Sequence, residues 1–414
     1  MRILIYNIKK LLQVSKQTPE IRKGEEMKIL PFLENAWMYC EGKKIVNFGL
    51  MKDMPSEYYS AEKTFDAVGR IVMPAYCDPH THLVYAGSRE TEFVDKIKGL
   101  TYEEIAKRGG GILNSATALH NLPEEELFQQ SADRIRGIMQ QGTGAVEIKS
   151  GYGLNLEDEL KMLRVIRKIR MEFPLTVKSS FLGAHAVPYE FLNHKEKYID
   201  KIINEMIPAI SAEGLADFID VFCDVGFFTP EETARILKAG FRYGLLPKIH
   251  ANELAFSGGI KVGVENNALS VDHLEFTGDA EIKLLLNSRT IPTLLPGASF
   301  FLGIGYAPAR KMIDAGLPVA IASDYNPGSS PSGNMNFILS LACIKLRMLP
   351  EEAINASTLN SAYAMGVEST NGCISPGKLS SFIITRKIPG PEFIPYSFGT
   401  DLIEHVFCNG KLIK

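Results

Sequence analysis

The stretch RIVMPAYCDPHTH, residues 70–82, decides the fold. It is a short apolar run that ends in Asp78, His80 and His82, residue types able to bind a metal. An open doubly wound sheet, the competing architecture, would carry a glycine-rich phosphate turn after its first strand, and Asp78-Pro79-His80-Thr81-His82 stands there instead. Seven further apolar, β-branched runs follow: GAVEIKS near 144, TVKSSFLGAH near 176, DFIDVFCD near 217, PKIHANE near 247, SVDHLEF near 270, TIPTLLPG near 290 and PVAIASD near 318. Helical stretches separate several of them. In EDELKMLRVIRKIRMEF, for example, Leu160, Leu163, Ile166 and Ile169 form a stripe at helical spacing. Eight runs of this kind predict a (β/α)8 TIM barrel, an α/β fold, over residues 70–365.

Both ends are β-rich. Residues from Leu30 to Gly49 alternate apolar and polar around Glu41-Gly42-Lys43, which reads as a hairpin. Near the other end, SFIIT at 381–385 and HVFCNGKLIK at 405–414 read as strands, the second turning at Asn409-Gly410. Residues 1–69 and 366–414 are therefore expected to join into one small composite β-sandwich beside the barrel. At roughly 150 residues per domain, a chain of 414 residues accommodates this arrangement.

Composition narrows the partners. With 45% hydrophobic and 22% charged residues the chain is of the soluble globular class. Lys and Arg number 45 against 48 Asp and Glu, a formal charge of −3, so there is no basic excess to track nucleic acid. The six cysteines form no Cys-x-x-Cys pair and read as buried thiols of a reducing compartment. MRILIYNIKKLLQ, interrupted by Lys9 and Lys10, makes a poor signal peptide. Thr290–Ala309 is twenty residues without a charge, but Pro292, Pro296 and Pro308 argue for a buried strand and an apolar loop rather than a membrane span. The expectation is a soluble, cytoplasmic protein.

Alone, His80 and His82 would read as two structural imidazoles. They are not alone, because His250 ends the fifth run, His273 lies in the sixth and Asp324 ends the eighth. These residues fall at the C-terminal rim of the barrel strands, where active sites of this fold form. Three imidazoles and a carboxylate there suit one Zn²⁺ or Fe ion with a position left for water. A second metal would call for a bridging lysine, commonly from the fourth strand, and that run reads VFCD. Lys149 and Asp224 end the second and fourth runs. Glu253, three residues after His250, reads as an acid or base aimed at a substrate. Gly109-Gly110-Gly111 lacks the Gly-Lys-Ser/Thr of a phosphate loop and reads as a loop near the rim.

The segments PAYCDPHTHLVYAGSRETEF, YEEIAKRGGGI, VEIKSGYGL, FLGAHAVP, KIHANEL, VDHLEF, LLPGASFFLG and ASDYNPGSSP resemble, in order, the imidazolonepropionases of the amidohydrolase superfamily. SGYGL, GAHAVP and DYNPGSSP are the specific matches. The resemblance implies a metal-dependent barrel with a composite β-sandwich and the third reaction of histidine degradation: hydrolysis of 4-imidazolone-5-propanoate to N-formimidoyl-L-glutamate. It implies that His80, His82, His250 and Asp324 hold the metal and that Arg89 grips the substrate propionate. Tyr152, His185 and Glu253 would be further substrate contacts, with Asn326, Gly328 and Ser329 in a loop touching substrate or product. His273 would stand beside the metal-side water, and Asp324 would relay its proton. A homodimer is implied as well. Asn252 and Ser381 depart from the family pattern, where many relatives carry Asp, and the first thirty residues match poorly. The alternative reading is a mononuclear aminohydrolase deaminating a purine or pyrimidine; a non-catalytic paralogue would be expected to have lost metal ligands.

Overall fold

Apolar strands must pair their backbone groups and bury their faces, and among the described residues the chain does so in two sheets. The computed structural model describes residues 1–100 and 111–414. Most of YEEIAKRGGGI, including Gly109 and Gly110, lies outside the described residues.

The N-terminal segment supplies β1 (Arg2–Leu12), β2 (Phe32–Glu41), β3 (Lys44–Leu50), β4 (Lys63–Asp66) and β5 (Arg70–Pro74). The hairpin between β2 and β3 reverses at Gly42, whose φ of +59° suits a residue without a Cβ. Eight parallel strands follow: β6 (Tyr76–Thr81), β7 (Thr143–Lys149), β8 (Thr176–Ala184), β9 (Phe218–Cys223), β10 (Leu246–Ala251), β11 (Ser270–His273), β12 (Ile291–Leu294) and β13 (Ala320–Ile321). The C-terminal segment adds β14 (Phe382–Lys387), β15 (Ile403–Cys408) and β16 (Lys411–Leu412).

The terminal strands form one mixed sheet in the order β16-β15-β14-β5-β1-β2-β3, with β4 alongside β1. Both faces of β1 are covered. Ile3, Ile5 and Ile8 pack with Met38, Phe382 and Phe407, while Leu4 joins Trp37 and Tyr39 on the other side, where the Tyr39 ring stacks on Tyr58 at 4.0 Å. The run at 70–82, read from sequence as one strand, is two. β5 pairs with β14 and β1, and after Pro74 the chain passes to β6 in the barrel. Proline has no N–H for a ladder, so the change of sheet falls where a strand can end without loss.

The barrel strands run β6 to β13 in spatial order, and the chain after β13 closes the cylinder. Thr81 bridges Tyr325, the Asp324 N–H donates to the His80 carbonyl at 3.0 Å, and the His82 N–H donates to the Tyr325 carbonyl at 2.9 Å. The helix expected after β7 spans Leu156–Glu172, opened by Asn155, whose side chain accepts the Asp158 N–H. Leu163, Ile166 and Ile169 are buried and Leu160 partly so. Thr290–Ala309 differs from expectation in its second half. A short helix, Pro296–Leu302, replaces the apolar loop, with Pro296 in the first turn where its missing N–H costs nothing. Among the described residues no helix is long and apolar enough to cross a membrane.

Asn409 and Gly410 turn β15 into β16 with φ of +46° and +78°, the left-handed pair that a type I′ hairpin requires. A Cβ on Gly410 would also run into the Gly42 carbonyl. Gly410→Ala is expected to lower unfolding free energy by about 1–3 kcal/mol, read as a reduced denaturant midpoint; an unchanged midpoint would show that the two hairpins do not constrain each other.

Candidate metal centre and substrate pocket

Strand periodicity of two puts alternate side chains inside the barrel, and here many of them are polar. Asp78 and His80 come from β6, Glu147 and Lys149 from β7, Asp220 from β9, Lys248 and His250 from β10, and Ser270 and Asp272 from β11; all are buried. His82 follows β6 directly. Asp324 follows β13, on the segment that closes the cylinder.

The imidazoles converge by their Nε2 atoms. His82 Nε2 and His250 Nε2 stand 3.3 Å apart. His80 Nε2 lies 3.6 Å, and His82 Nε2 3.7 Å, from Asp324 Oδ1. His82 Nδ1 is buried with no hydrogen-bond partner, but the other two outer nitrogens are taken: His80 Nδ1 donates to Asp272 Oδ2 at 2.6 Å and His250 Nδ1 to Asp220 Oδ1 at 3.2 Å. Such bonds fix the tautomer and leave the Nε2 lone pairs directed inward. Burial, reinforced by Lys149 and the neighbouring imidazoles, holds His80 well below the usual histidine range. Burial and the rings of His185 and His250 do the same to His82. Neutral rings whose lone pairs face one another repel unless a cation lies between them, and His80 Nε2 is buried with no hydrogen-bond partner. His80, His82 and His250 each bring one ligand atom within 4.8 Å of the others, as do His80, His273 and Asp324, and the three-histidine set fits a single metal ion.

His273 arrives differently. It is the last residue of β11, next to inward-facing Asp272, so simple alternation would turn it away from the site. Its φ of +84°, with +71° at Leu274, re-aims the side chain. Its Nδ1 then lies 3.7 Å from Glu253 and 3.9 Å from Glu275. Burial opposes its charge, but Glu253, Glu275 and Asp324 outweigh burial and raise His273 to about 9. Burial lifts the Asp324 carboxyl to about 6 and that of Glu275 to about 7. Glu253 is held by Asp224, whose Oδ2 accepts the N–H groups of Glu253 and Leu254 at 2.8 Å each.

A cavity of about 420 Å³ is lined by every metal-ligand or substrate-contact residue expected from the sequence except His80, which lies fully buried behind it. Phe222, Phe227, Leu302 and Ile304 supply apolar wall. The His185 ring stacks on His82 at 5.3 Å, and its Nδ1 donates to the Gly151 carbonyl at 3.0 Å; burial, then His250, lowers it to about 3. Arg89 precedes the helix Glu90–Ile97, and its Nε donates to Glu92 Oε2 at 2.9 Å. The guanidinium lies against Gly328, where a Cβ would collide with it. The Asn326 side chain organises its own loop: Oδ1 accepts the N–H groups of Gly328 and Ser329 at 2.8 Å, and Nδ2 donates to the Asp324 carbonyl at 2.7 Å.

With this geometry in place, similarity to known proteins is informative. A profile described as the amidohydrolase family matches residues 71–413. An imidazolonepropionase of Christiangramia forsetii is 56% identical over 413 residues, covering 100% of both chains. One from Alkaliphilus oremlandii is 41% identical, covering 99% of this chain and 97% of its own. The chain belongs to the imidazolonepropionases, within the amidohydrolase family. Among solved structures, a zinc-complexed atrazine chlorohydrolase from Arthrobacter aurescens superposes with a TM-score of 0.71 at 15% identity, covering 99% of this chain and 94% of its own. An ochratoxinase of A. niger gives 0.72 at 18% identity, covering 100% and 95%. At such identities they share the fold alone.

In this imidazolonepropionase, several site-side residues were not picked out from sequence: Asp220, Asp272, Glu147, Lys248, Glu92 and Glu275. A signal for the first four existed. Polar residues recur every second position inside otherwise apolar strands, as in VEIKS, PKIH and SVDH, and such positions face the barrel interior. Glu92 and Glu275 lie outside that pattern and are found only through their contacts with Arg89 and His273.

A cation joining donors from β6, β10 and the segment after β13 binds only the folded state. Chelator treatment is therefore expected to lower the Tm by several degrees, and re-addition of Zn²⁺ to restore it. A Tm insensitive to both would remove the metal from this donor set.

Proposed function

We propose that the chain hydrolyses the ring amide of 4-imidazolone-5-propanoate to N-formimidoyl-L-glutamate, the third step of histidine degradation, with one Zn²⁺ or Fe ion held by His80, His82, His250 and Asp324. The observation that carries this reading is one cavity lined by His82, His250 and Asp324 together with Arg89, in a chain that is full-length kin of imidazolonepropionases. The substrate is a five-membered cyclic amide with a propionate tail. It needs an anion grip, a nucleophile at neutral pH, charge stabilisation at the carbonyl oxygen and a proton for the departing nitrogen.

The metal, when bound, supplies Lewis acidity, polarising the carbonyl and acidifying water. Arg89 receives the propionate. Glu92 occupies its Nε and Nη2, which leaves Nη1, beside Gly328, for the incoming carboxylate. Tyr152 and His185 pack along the ring, and Glu253 accepts a hydrogen bond from a ring nitrogen. Asn326 keeps Gly328 and Ser329 in place through its turn bonds. As water attacks the carbonyl carbon, an Asp324 carboxylate oxygen takes its proton and passes it to the ring nitrogen while the carbon–nitrogen bond breaks. His273, turned into the cavity by its left-handed backbone, orients the water and donates to the carbonyl oxygen as negative charge grows there. The apolar wall keeps bulk water from competing for these contacts.

Oxygen and nitrogen donors suit Zn²⁺ and Fe alike. The reading extends to a homodimer working in the cytoplasm, where six free cysteines, five of them buried, are in keeping with a reducing medium. Deamination of a purine or pyrimidine base leaves Arg89 without a carboxylate to bind, so that reading is not favoured.

Metal-replete protein given fresh 4-imidazolone-5-propanoate is expected to consume it and release N-formimidoyl-L-glutamate in equal amount, and a chelator to stop both. Ammonia release from nucleobases with the imidazolone untouched would overturn the assignment. Arg89→Met is expected to raise KM about ten- to a hundredfold, corresponding to loss of a charge-assisted contact of about 1.5–3 kcal/mol, with a smaller change in kcat. A KM equal to that of the parent would remove Arg89 from propionate binding.

A further inference from the structure

Beneath the imidazoles the barrel interior holds a layer of charge where this fold ordinarily packs branched apolar side chains. Lys149, Lys248, Glu147, Asp220 and Asp272 are all fully buried. Burying charge is expensive, and an apolar layer would serve stability as well or better, so the layer calls for another role. Lys149 Nζ stands 2.6 Å from Glu147 Oε1, 2.7 Å from Asp220 Oδ2 and 3.6 Å from Asp272 Oδ2. The other Asp220 oxygen accepts from His250 Nδ1, and Asp272 Oδ2 also accepts from His80 Nδ1. Lys149 lies on β7, which pairs with β6 and β8, whereas Asp220 and Asp272 lie on β9 and β11 with β10 between them. Backbone pairing thus connects these three strands only through the intervening β8 and β10, and the ammonium joins them directly through the interior.

We infer that Lys149 is a positioning residue of the metal centre: its ammonium holds Asp220 and Asp272 in mutual register, and these two carboxylates aim His250 and His80 at the ion. The inference rests on the metal-centre reading above. It is separable from simple electrostatics by sign. A lysine acting only through its charge repels a bound cation, so removing it tightens metal binding. A lysine that positions the carboxylates weakens binding when lost, because the rings they hold go out of alignment.

The experiment uses Co²⁺ as probe, with its affinity measured by competition against a chelator and its visible spectrum reporting ligand geometry. Lys149→Met is expected to lower Co²⁺ affinity at least tenfold, in the range for loss of an outer partner of metal ligands, and to shift the spectrum. Glu147→Gln disturbs the same buried layer but leaves Lys149 on both aspartates. It is expected to lower the Tm while keeping affinity within about threefold and the spectrum unchanged. Should Lys149→Met fail to fold, the double variant Lys149→Met/Glu147→Gln retains the formal charge of the layer and lacks the clamp, and is expected to show the same loss and shift. Unchanged or tighter Co²⁺ binding with an unchanged spectrum in a folded Lys149 variant overturns the inference, as does an equal loss in Glu147→Gln alone. A parent protein that binds no Co²⁺ overturns the metal centre itself, a result distinct from parent and variant binding alike.

Discussion

The Asp324 N–H donates to the His80 carbonyl at 3.0 Å, and the site depends on that hydrogen bond. It joins the end of the barrel to its beginning, so the two residues whose side chains approach at 3.6 Å are also the two whose backbones close the cylinder. The spacing of the donor set is therefore a property of barrel closure and not of loop conformation. Metal sites demand ligand placement to within a few tenths of an ångström, and a closed hydrogen-bonded sheet is among the stiffest scaffolds a chain can offer.

Around that closure the molecule accepts local cost. Left-handed backbone at His273, Leu274 and Asp324 is of the kind that costs on the order of 1–3 kcal/mol per residue and persists only when its surroundings hold it. The surroundings here are extensive. The Leu274 N–H donates to the Ala251 carbonyl, and Asn326 ties the loop after Asp324 to its own backbone. Buried charge thus concentrates inside the barrel, while the terminal sheet packs mainly apolar side chains and carries left-handed residues of its own at Asn7, Gln13 and Asn35.

Much of this was legible in the chain. The eight apolar runs announce the barrel, and the hairpin turns at Gly42 and Asn409-Gly410 announce the terminal strands, because local turn chemistry and hydrophobic alternation act over a few residues. His80, His82, His250 and Asp324 stand out because such residue types at strand ends have few other uses. The division of 70–82 between two sheets was not legible, since an apolar run looks the same whichever sheet it joins. Nor was the helix from Pro296, where proline reads equally as breaker or as first turn. Asp220 and Asp272 sat in plain view as alternate polar residues in apolar strands, but which imidazole each one holds depends on the stagger between strands.

What the sequence by itself determined is the set of parts: barrel strands, terminal hairpins, candidate metal donors, the cation of Arg89 and kinship with the imidazolonepropionases. These follow from residue type, periodicity and short motifs, which are local. Only the tertiary structure decided that His273 turns inward against strand alternation, that Gly328 makes room for Arg89, and that Lys149 spans the barrel to the carboxylates behind two imidazoles. The first is a backbone turn held by its surroundings, and the other two are contacts between residues far apart in the chain, set by closure of the cylinder and the register of its strands; no local pattern encodes a distance across a barrel.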